Sequence, residues 1–371
     1  LSPLHHLYLH IPFCHRVCPY CSFYKHTPGG TDMGAFVQAV LRELELHQQR
    51  LEIRPKTIYF GGGTPTALSE THLGTLLTGL RERLDCSGLE EFGMEANPKT
   101  VGASKARLLR DLGVTRISLG VQAWDEPTLK LLGRDHAPDE AKETYAILRD
   151  AGIPAVNVDL MFSIPGQSLA VWEEGLRQTI GLQSDHVSCY NLTYEEDTEF
   201  LNKLKSGMLD TDTDRDADHF RSTMDLLEAA GFEHYEISNY AKPGKRSIHN
   251  QAYWRGADYL GLGPSATSTH ERVRWKNVSD TARYIELAKE GRLPAVESEE
   301  LDDRAWLIER IALELRLVEG MAEDRVADSQ KRELEMLQGE GLLLVEGGRV
   351  RLTREGKAVS DRIAEMLIPD A

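Results

Sequence analysis

Two rhythms of apolar and polar positions alternate along this chain. Short runs rich in apolar and β-branched residues recur at 7–11 (LYLHI), 57–61 (TIYFG), 92–96 (FGMEA), 116–120 (RISLG), 156–162 (VNVDLMF) and 186–192 (HVSCYNL), and their length and composition predict six strands. The segments between them, such as AFVQAVLRELELHQQRL, THLGTLLTGLRERL, KARLLRDLG, DEAKETYAILRDAG and LAVWEEGLRQTIG, place apolar residues three and four apart. That spacing predicts amphipathic helices. Strand and helix alternating in this way select an α/β fold with a parallel sheet and right-handed crossovers, either doubly wound or a partial or complete barrel. In each of these architectures the functional residues gather at the carboxyl ends of the strands.

The sequence agrees with that rule, because polar or glycine-rich outliers follow each strand. A cysteine loop comes after the first and Gly61, Gly62, Gly63, Thr64 and Pro65 after the second; Glu95 and Asn97 close the third. Gln122 follows the fourth, Asp159 interrupts the apolar fifth, and Tyr190, Asn191 and Thr193 end the sixth. Any one of these could cap a helix or make a turn. Six in register predict a shared site.

Beyond about residue 300 the pattern becomes helix, helix at 328–338, LLLVE, a Gly-Gly turn, RVRL and a last helix ending near 367. Helix, hairpin and helix predict a small winged-helix-like α+β domain. Between 301 and 371 there are 11 basic and 16 acidic residues, a balance that argues against reading DNA. The whole chain is similarly acidic, with 43 basic against 59 acidic side chains and a formal net charge of −16 over 371 residues, so no nucleic-acid partner is expected. No apolar stretch approaches the roughly 20 residues of a membrane span, and the N-terminal run has no signal-peptide apolar region; a cytoplasmic location is the expectation.

Five cysteines is an odd number, and three of them, Cys14, Cys18 and Cys21, crowd into a CxxxCxxC loop. Such a cluster suits a metal site in a reducing compartment better than disulfides. Three thiolates on one loop hold an iron-sulfur cube with one iron left open. A structural zinc site is the alternative, and it needs His15 or His26 to complete a Cys3His set.

The run YLHIPFCHRVCPYCSFY, with Tyr20 before the third cysteine, resembles the signature of the radical S-adenosylmethionine (SAM) enzymes. That resemblance implies a partial (β/α)6 barrel in which a [4Fe-4S] cluster on Cys14, Cys18 and Cys21 binds SAM through its open iron. One-electron reduction then cleaves the sulfonium to a 5′-deoxyadenosyl radical, chemistry that belongs to the cofactors. LHIPFC, YFGGGTPT, EANP, GVQAW, LGRDH, VDLMFSIPGQ, YNLTYEEDT and GLGPSA further resemble the oxygen-independent coproporphyrinogen dehydrogenase group across most of residues 7–270. By that similarity Tyr8, Tyr20, Gly62, Gly63, Thr64, Glu95, Gln122, Arg134 and Asp159 contact SAM. Glu95 would pair with the ammonium, Arg134 with the carboxylate and Asp159 with the ribose, while the glycines let backbone approach the ligand. Thr193 and Thr267 carry over from runs whose adjoining sequence diverges.

Two features point within the group. The dehydrogenase has a fourth cysteine two positions after the third, where this chain has Phe23. His249, Asn250, Tyr253 and Trp254 form HNxxYW, which resembles the motif of the HemW haem chaperone branch. A neutral imidazole is a good axial ligand for haem iron and aromatic rings pack against a porphyrin; the plainer reading is a hydrogen-bonded core histidine. The resemblance implies a chaperone that holds haem through His249, carries the cluster and SAM, takes an electron from a one-electron reductant and delivers haem to apo-haemoproteins. A radical SAM dehydrogenase, methyltransferase or cyclopropanase is the enzyme alternative, and a homodimer is left open. The expected division is a barrel over 1–240, the HNxxYW segment and a connection over 241–300, and the winged-helix-like domain over 301–371.

Overall fold

The computed structural model describes residues 2–369. Its first part alternates as the apolar pattern predicts: β1 (Leu4–Ile11), α1 (Met33–Gln48), β2 (Ile53–Gly62), α2 (Glu70–Arg83), β3 (Glu91–Ala96), α3 (Ala103–Asp111), β4 (Arg116–Gln122), α4 (Glu126–Leu131), α5 (Pro138–Asp150), β5 (Ala155–Phe162), α6 (Leu169–Gly181) and β6 (His186–Asn191). These six strands are parallel and lie in the sheet in their chain order. A doubly wound sheet needs a point where the order reverses. None exists here, so the right-handed crossovers all wrap one way and the sheet curls into the wall of a partial barrel, open between β1 and β6.

Both edges are extended by strands too short to have shown in the pattern. After α7 (Glu199–Lys205) and α8 (Thr213–Ala229), β7 (Glu233–Glu236) and β8 (Asn239–Ala241) add an antiparallel pair beside β6. Past α9 (Ile248–Trp254), β9 (Leu260–Leu262) runs parallel to β1 and makes nine strands. The sheet therefore does not stop at residue 240. The expected connection over 241–300 is instead structured: β10 (Thr267–His270), β11 (Val273–Asn277) and β12 (Ala295–Glu300), with α10 (Thr281–Lys289) between the last two, form a three-stranded antiparallel sheet.

Side chains on the barrel strands alternate by face. Leu7, Leu9, Ile11, Ile58, Phe60, Phe92, Met94, Ile117, Leu119, Val156, Val158, Leu160 and Val187 point outward, where they join the helices in one continuous core. The inward positions are largely polar or glycine: His6, Tyr8 and His10; Thr57, Tyr59 and Gly61; Glu91, Gly93 and Glu95; Arg116, Ser118, Gly120 and Gln122; Asn157 and Asp159; His186, Ser188 and Tyr190. Parallel strands covered on both faces by apolar packing read as unbroken hydrophobic runs. A strict alternation means that the inner face lines a polar chamber.

The last part, α11 (Asp303–Glu314), β13 (Met321–Ala322), α12 (Lys331–Gly339), β14 (Leu343–Glu346), β15 (Arg349–Leu352), α13 (Arg354–Lys357) and α14 (Ser360–Leu367), has its own apolar cluster around Ile311, Leu315, Met321, Leu337, Val350 and Leu367. The hairpin turns at Gly347 and Gly348, both with positive φ, as a two-residue hairpin loop matched to strand twist requires. Its strand order, β13-β15-β14, with helices packed on it, is winged-helix-like.

Candidate functional site

A cavity of about 360 Å³ opens at the carboxyl ends of the barrel strands. Cys14, Cys18, Tyr20, Cys21, Gly62, Gly63, Thr64, Glu95, Gln122, Arg134 and Asp159 all line it. Parallel strands in register explain the convergence, since residues at equal height on neighbouring strands face one chamber. Glu95 is level with Ser118, and Ser118 with Asn157; Gly120 is level with Asp159.

The cysteine loop is pinned at its base by backbone bonds from Cys14 N–H to the His26 carbonyl (3.0 Å) and from His26 N–H to Pro12 (2.8 Å). Burial raises the Cys14 and Cys21 thiols above their ordinary range, so metal loading there releases protons. Among the described residues no three His, Cys, Asp or Glu side chains converge as ligands of one ion. His26 has both ring nitrogens engaged, with Thr27 O and Thr281 Oγ1 at 2.8 Å each, and His15 points to solvent. The donor set fits the cube.

The glycines also serve the packing behind the cavity. A Cβ on Gly62 would lie 2.6 Å from the His10 ring, and one on Gly63 2.8 Å from the Phe13 carbonyl oxygen. Their missing side chains make room for the chain leaving β1, which brings the cysteine loop over the strand ends, and the ligand-facing side is their backbone.

Around the rest of the cavity the charged groups are held by neutral partners. Glu95 accepts a long bond from Tyr59 OH (3.4 Å), and burial, with Asp159 adding to it, pushes its carboxyl up to about 8. Asp159 accepts from Ser118 Oγ and Asn157 Nδ2, both at 2.7 Å, and is also raised by burial. Arg134 donates to Asn97 Oδ1 (2.8 Å) and the Gly120 carbonyl (2.7 Å), and stands 3.6 Å from Cys18 Sγ; its Nε is buried without a partner. Gln122 reaches the cavity from a left-handed backbone, φ 71°, at a break in the register between β4 and β5. Two desolvated carboxyl groups facing a guanidinium beside three thiols suit a zwitterion carrying a polyhydroxyl sugar.

Four expected residues lie elsewhere. Tyr8 sits one layer below, its OH 3.0 Å from His10 Nδ1 and its ring against Gly61. Thr193 is exposed on the chain after β6, and Thr267 begins β10 in the other sheet. His249 is 1% exposed at the barrel floor. Its Nδ1 meets Thr57 Oγ1 at 2.7 Å, Tyr59 stacks on it at 5.1 Å and Tyr253 packs edge-on at 4.8 Å. Burial pulls the imidazole down to about 3, so it is neutral, and its Nε2 is buried without a partner. Glu91, paired with Arg116 at 2.9 Å, accepts the N–H groups of Ile248 and His249 and anchors α9 there.

A second cavity, about 590 Å³, lies between α9 and α11 and shares Tyr59, Glu95 and Tyr190 with the first. Asn250, Tyr253 and Trp254 line it. His249 lies behind their aromatic wall.

The radical SAM superfamily model matches residues 8–178. Two curated relatives carry the name "Heme chaperone HemW": one from Lactococcus lactis is 33% identical over 98% of this chain and 97% of its own length, and one from Escherichia coli is 43% identical over 72% of this chain and 70% of its own. The chain belongs to the HemW branch of the radical SAM superfamily. A solved structure titled coproporphyrinogen III oxidase (HemN) from Escherichia coli, a radical SAM enzyme, covers 98% of this chain and 90% of that one at a TM-score of 0.83 and 21% identity, which shows the shared fold. Membership of the superfamily brings a [4Fe-4S] cluster and SAM as cofactors. No helix among the described residues of this HemW-branch chain is long and apolar enough to cross a membrane.

Some residues of the chamber were not singled out from the sequence. Asn157 donates to Ser118 Oγ (2.6 Å), Asp159 Oδ1 and Ser188 Oγ (2.9 Å) and meets His186 Nδ1 at 2.7 Å, so it fixes the carboxylate from below. Tyr59 walls both cavities, as does Tyr190, which the sequence had already marked at the end of β6. The signal for all of them was present as the period-two alternation of polar residues inside otherwise apolar strands.

Proposed function

We propose that this protein is a haem chaperone that binds haem in the cavity between α9 and α11 and delivers it to apo-haemoproteins. The observation that carries the reading is that Asn250, Tyr253 and Trp254 of HNxxYW wall a cavity of about 590 Å³, within the roughly 300–1,000 Å³ of organic-ligand sites, directly beside the cofactor cavity. Full-length similarity to relatives named heme chaperone supports it. In this reading Cys14, Cys18 and Cys21 hold the cluster, Glu95 and Arg134 orient the charged ends of SAM, and Asp159 takes the ribose hydroxyls. When bound, the cluster and SAM supply one-electron chemistry, for which a reductant is the partner. A cytoplasmic site of action belongs to the same proposal.

His249 is the proposed axial ligand. Its Nε2 is the free ring nitrogen, and because the imidazole is neutral no proton has to leave before it binds iron. Tyr253, which packs against the imidazole, also lines the cavity.

The test is haem titration of the wild type and His249→Ala under identical anaerobic conditions, with iron content as the check on folding. Loss or strong weakening of haem binding in the variant, with the cluster retained, is the expected result. Equal affinity and an identical spectrum would remove His249 as ligand. Absence of haem binding by the wild type would overturn the chaperone reading and leave a radical SAM enzyme.

A further inference from the structure

Polar side chains line several sides of the second cavity, and the C-terminal segment supplies two of its guanidinium groups. Arg310 of α11 and Arg316, two residues past its end, both line the cavity, Arg316 directly against the Trp254 ring of α9. Arg310 is 7% exposed. It donates from Nη1 to the Arg255 carbonyl (3.1 Å), and its nearest carboxylate, Glu309, is 3.8 Å away. Arg316 lies over the Trp254 ring at 4.5 Å, with Ser238 Oγ at 3.3 Å and the Glu236 carboxylate at 3.7 Å. Both Nε–H groups, and Trp254 Nε1, are buried without a hydrogen-bond partner. A buried donor left unsatisfied costs about 1–3 kcal/mol, more when charged, so a cluster of three is unusual in a finished core.

The backbone has been shaped around one of these groups. Gly256, with φ +64°, is where Arg310 rests: a Cβ there would fall 0.8 Å from Arg310 Nη1. Only glycine at the end of α9 leaves the guanidinium in place. Across the cavity lining, Arg274, Arg310 and Arg316 face Glu309 and Glu95. Arg274 is paired with Glu309 at 2.5 Å, whereas Arg310 and Arg316 have only longer ion pairs, to Glu309 at 3.8 Å and Glu236 at 3.7 Å, and their Nε–H donors have no hydrogen-bond partner.

We propose that Arg310 and Arg316 bind the two propionate carboxylates of haem, so that the C-terminal segment recognises the acidic edge of the ring whose face lies against Tyr253 and Trp254. The assignment rests on the haem reading above. Guanidinium groups pair with carboxylates by parallel N–H bonds, and their unpartnered Nε–H donors are the ones such a pair uses. It gives the winged-helix-like segment a task other than the nucleic-acid contact that its acidic balance argues against.

The experiment measures the affinity of the full chain, cluster loaded and anaerobic, for haem and for haem dimethyl ester, in the wild type and in Arg310→Gln and Arg316→Gln. Charge-assisted bonds of this kind are worth roughly ten- to hundredfold in affinity. The wild type is expected to prefer haem over its ester by at least about tenfold, and each variant to lose affinity for haem while keeping that for the ester. Equal wild-type affinity for haem and ester would overturn the assignment and leave the haem reading standing, and this comparison needs no variant to fold. Parallel loss of both ligands in the variants would make the arginines structural and overturn it as well. No haem binding by the wild type would overturn both proposals.

Discussion

The two cavities share a wall but were built in different ways. The first is assembled from strand ends, so each of its groups occupies a position dictated by sheet register: Glu95, Ser118 and Asn157 stand level on neighbouring strands. The second is assembled between two helices from distant parts of the chain, with Tyr253 and Trp254 on one and Arg310 on the other. Hydrogen-bonded strands fix heights to within a residue. Packed helices can open by small shifts, which suits the proposed uptake and release of haem.

The largest test of this contrast removes the first site's metal ligands. Wild-type protein reconstituted anaerobically should carry four irons and four sulfides per chain, and the Cys14→Ala, Cys18→Ala, Cys21→Ala triple variant none, while its haem affinity stays within about twofold because no cysteine lines the second cavity. Stoichiometric zinc without iron-sulfur absorbance would sink the cluster assignment. Loss of haem binding together with the cluster would show that the two cavities work as one.

A smaller effect is expected at Arg134, which lines only the first cavity. Arg134→Ala should weaken SAM binding roughly ten- to hundredfold with iron content unchanged, since it removes a charge partner of the ligand. Calorimetric titration of the cluster-loaded protein checks this. Unchanged SAM affinity would mean that the guanidinium serves only its bonds to Asn97 and Gly120.

The third test is electrostatic and belongs to Glu95. Its carboxyl goes from 4.5 in the open chain to about 8 in the folded, ligand-free site. Between those values the folded protein holds a proton that the unfolded chain has given up, so rising pH favours unfolding; above about 8 the native group ionises too and the difference stops growing. Urea unfolding of cluster-free protein should therefore show the wild type losing stability relative to Glu95→Gln as pH rises from 5 to 8, by at most ~1.4 kcal/mol per pH unit. A difference between the two proteins that is independent of pH would place Glu95 in ordinary solvent.

By itself the sequence determined the elements and the chemistry of the first cavity. Apolar runs and helical spacing located β1 to β6 and the helices between them, because both periods are set by backbone geometry within a few residues. The cysteine loop, the glycines, Glu95 and Asp159 were legible for the same reason: one parallel sheet brings every strand end to one place. The extension of that sheet by β9, three residues long, was beyond any periodicity. Tertiary structure alone decided that Gly62 and Gly63 make room for His10 and Phe13, since those contacts join separate strands. It also decided that His249, conspicuous in HNxxYW, is a buried imidazole bonded to Thr57 while its neighbours Tyr253 and Trp254 face the cavity. On a helix wedged into a barrel, the rotation of α9 chooses which side chains face inward, and that rotation is set by Glu91 and Arg116, more than a hundred residues away along the chain.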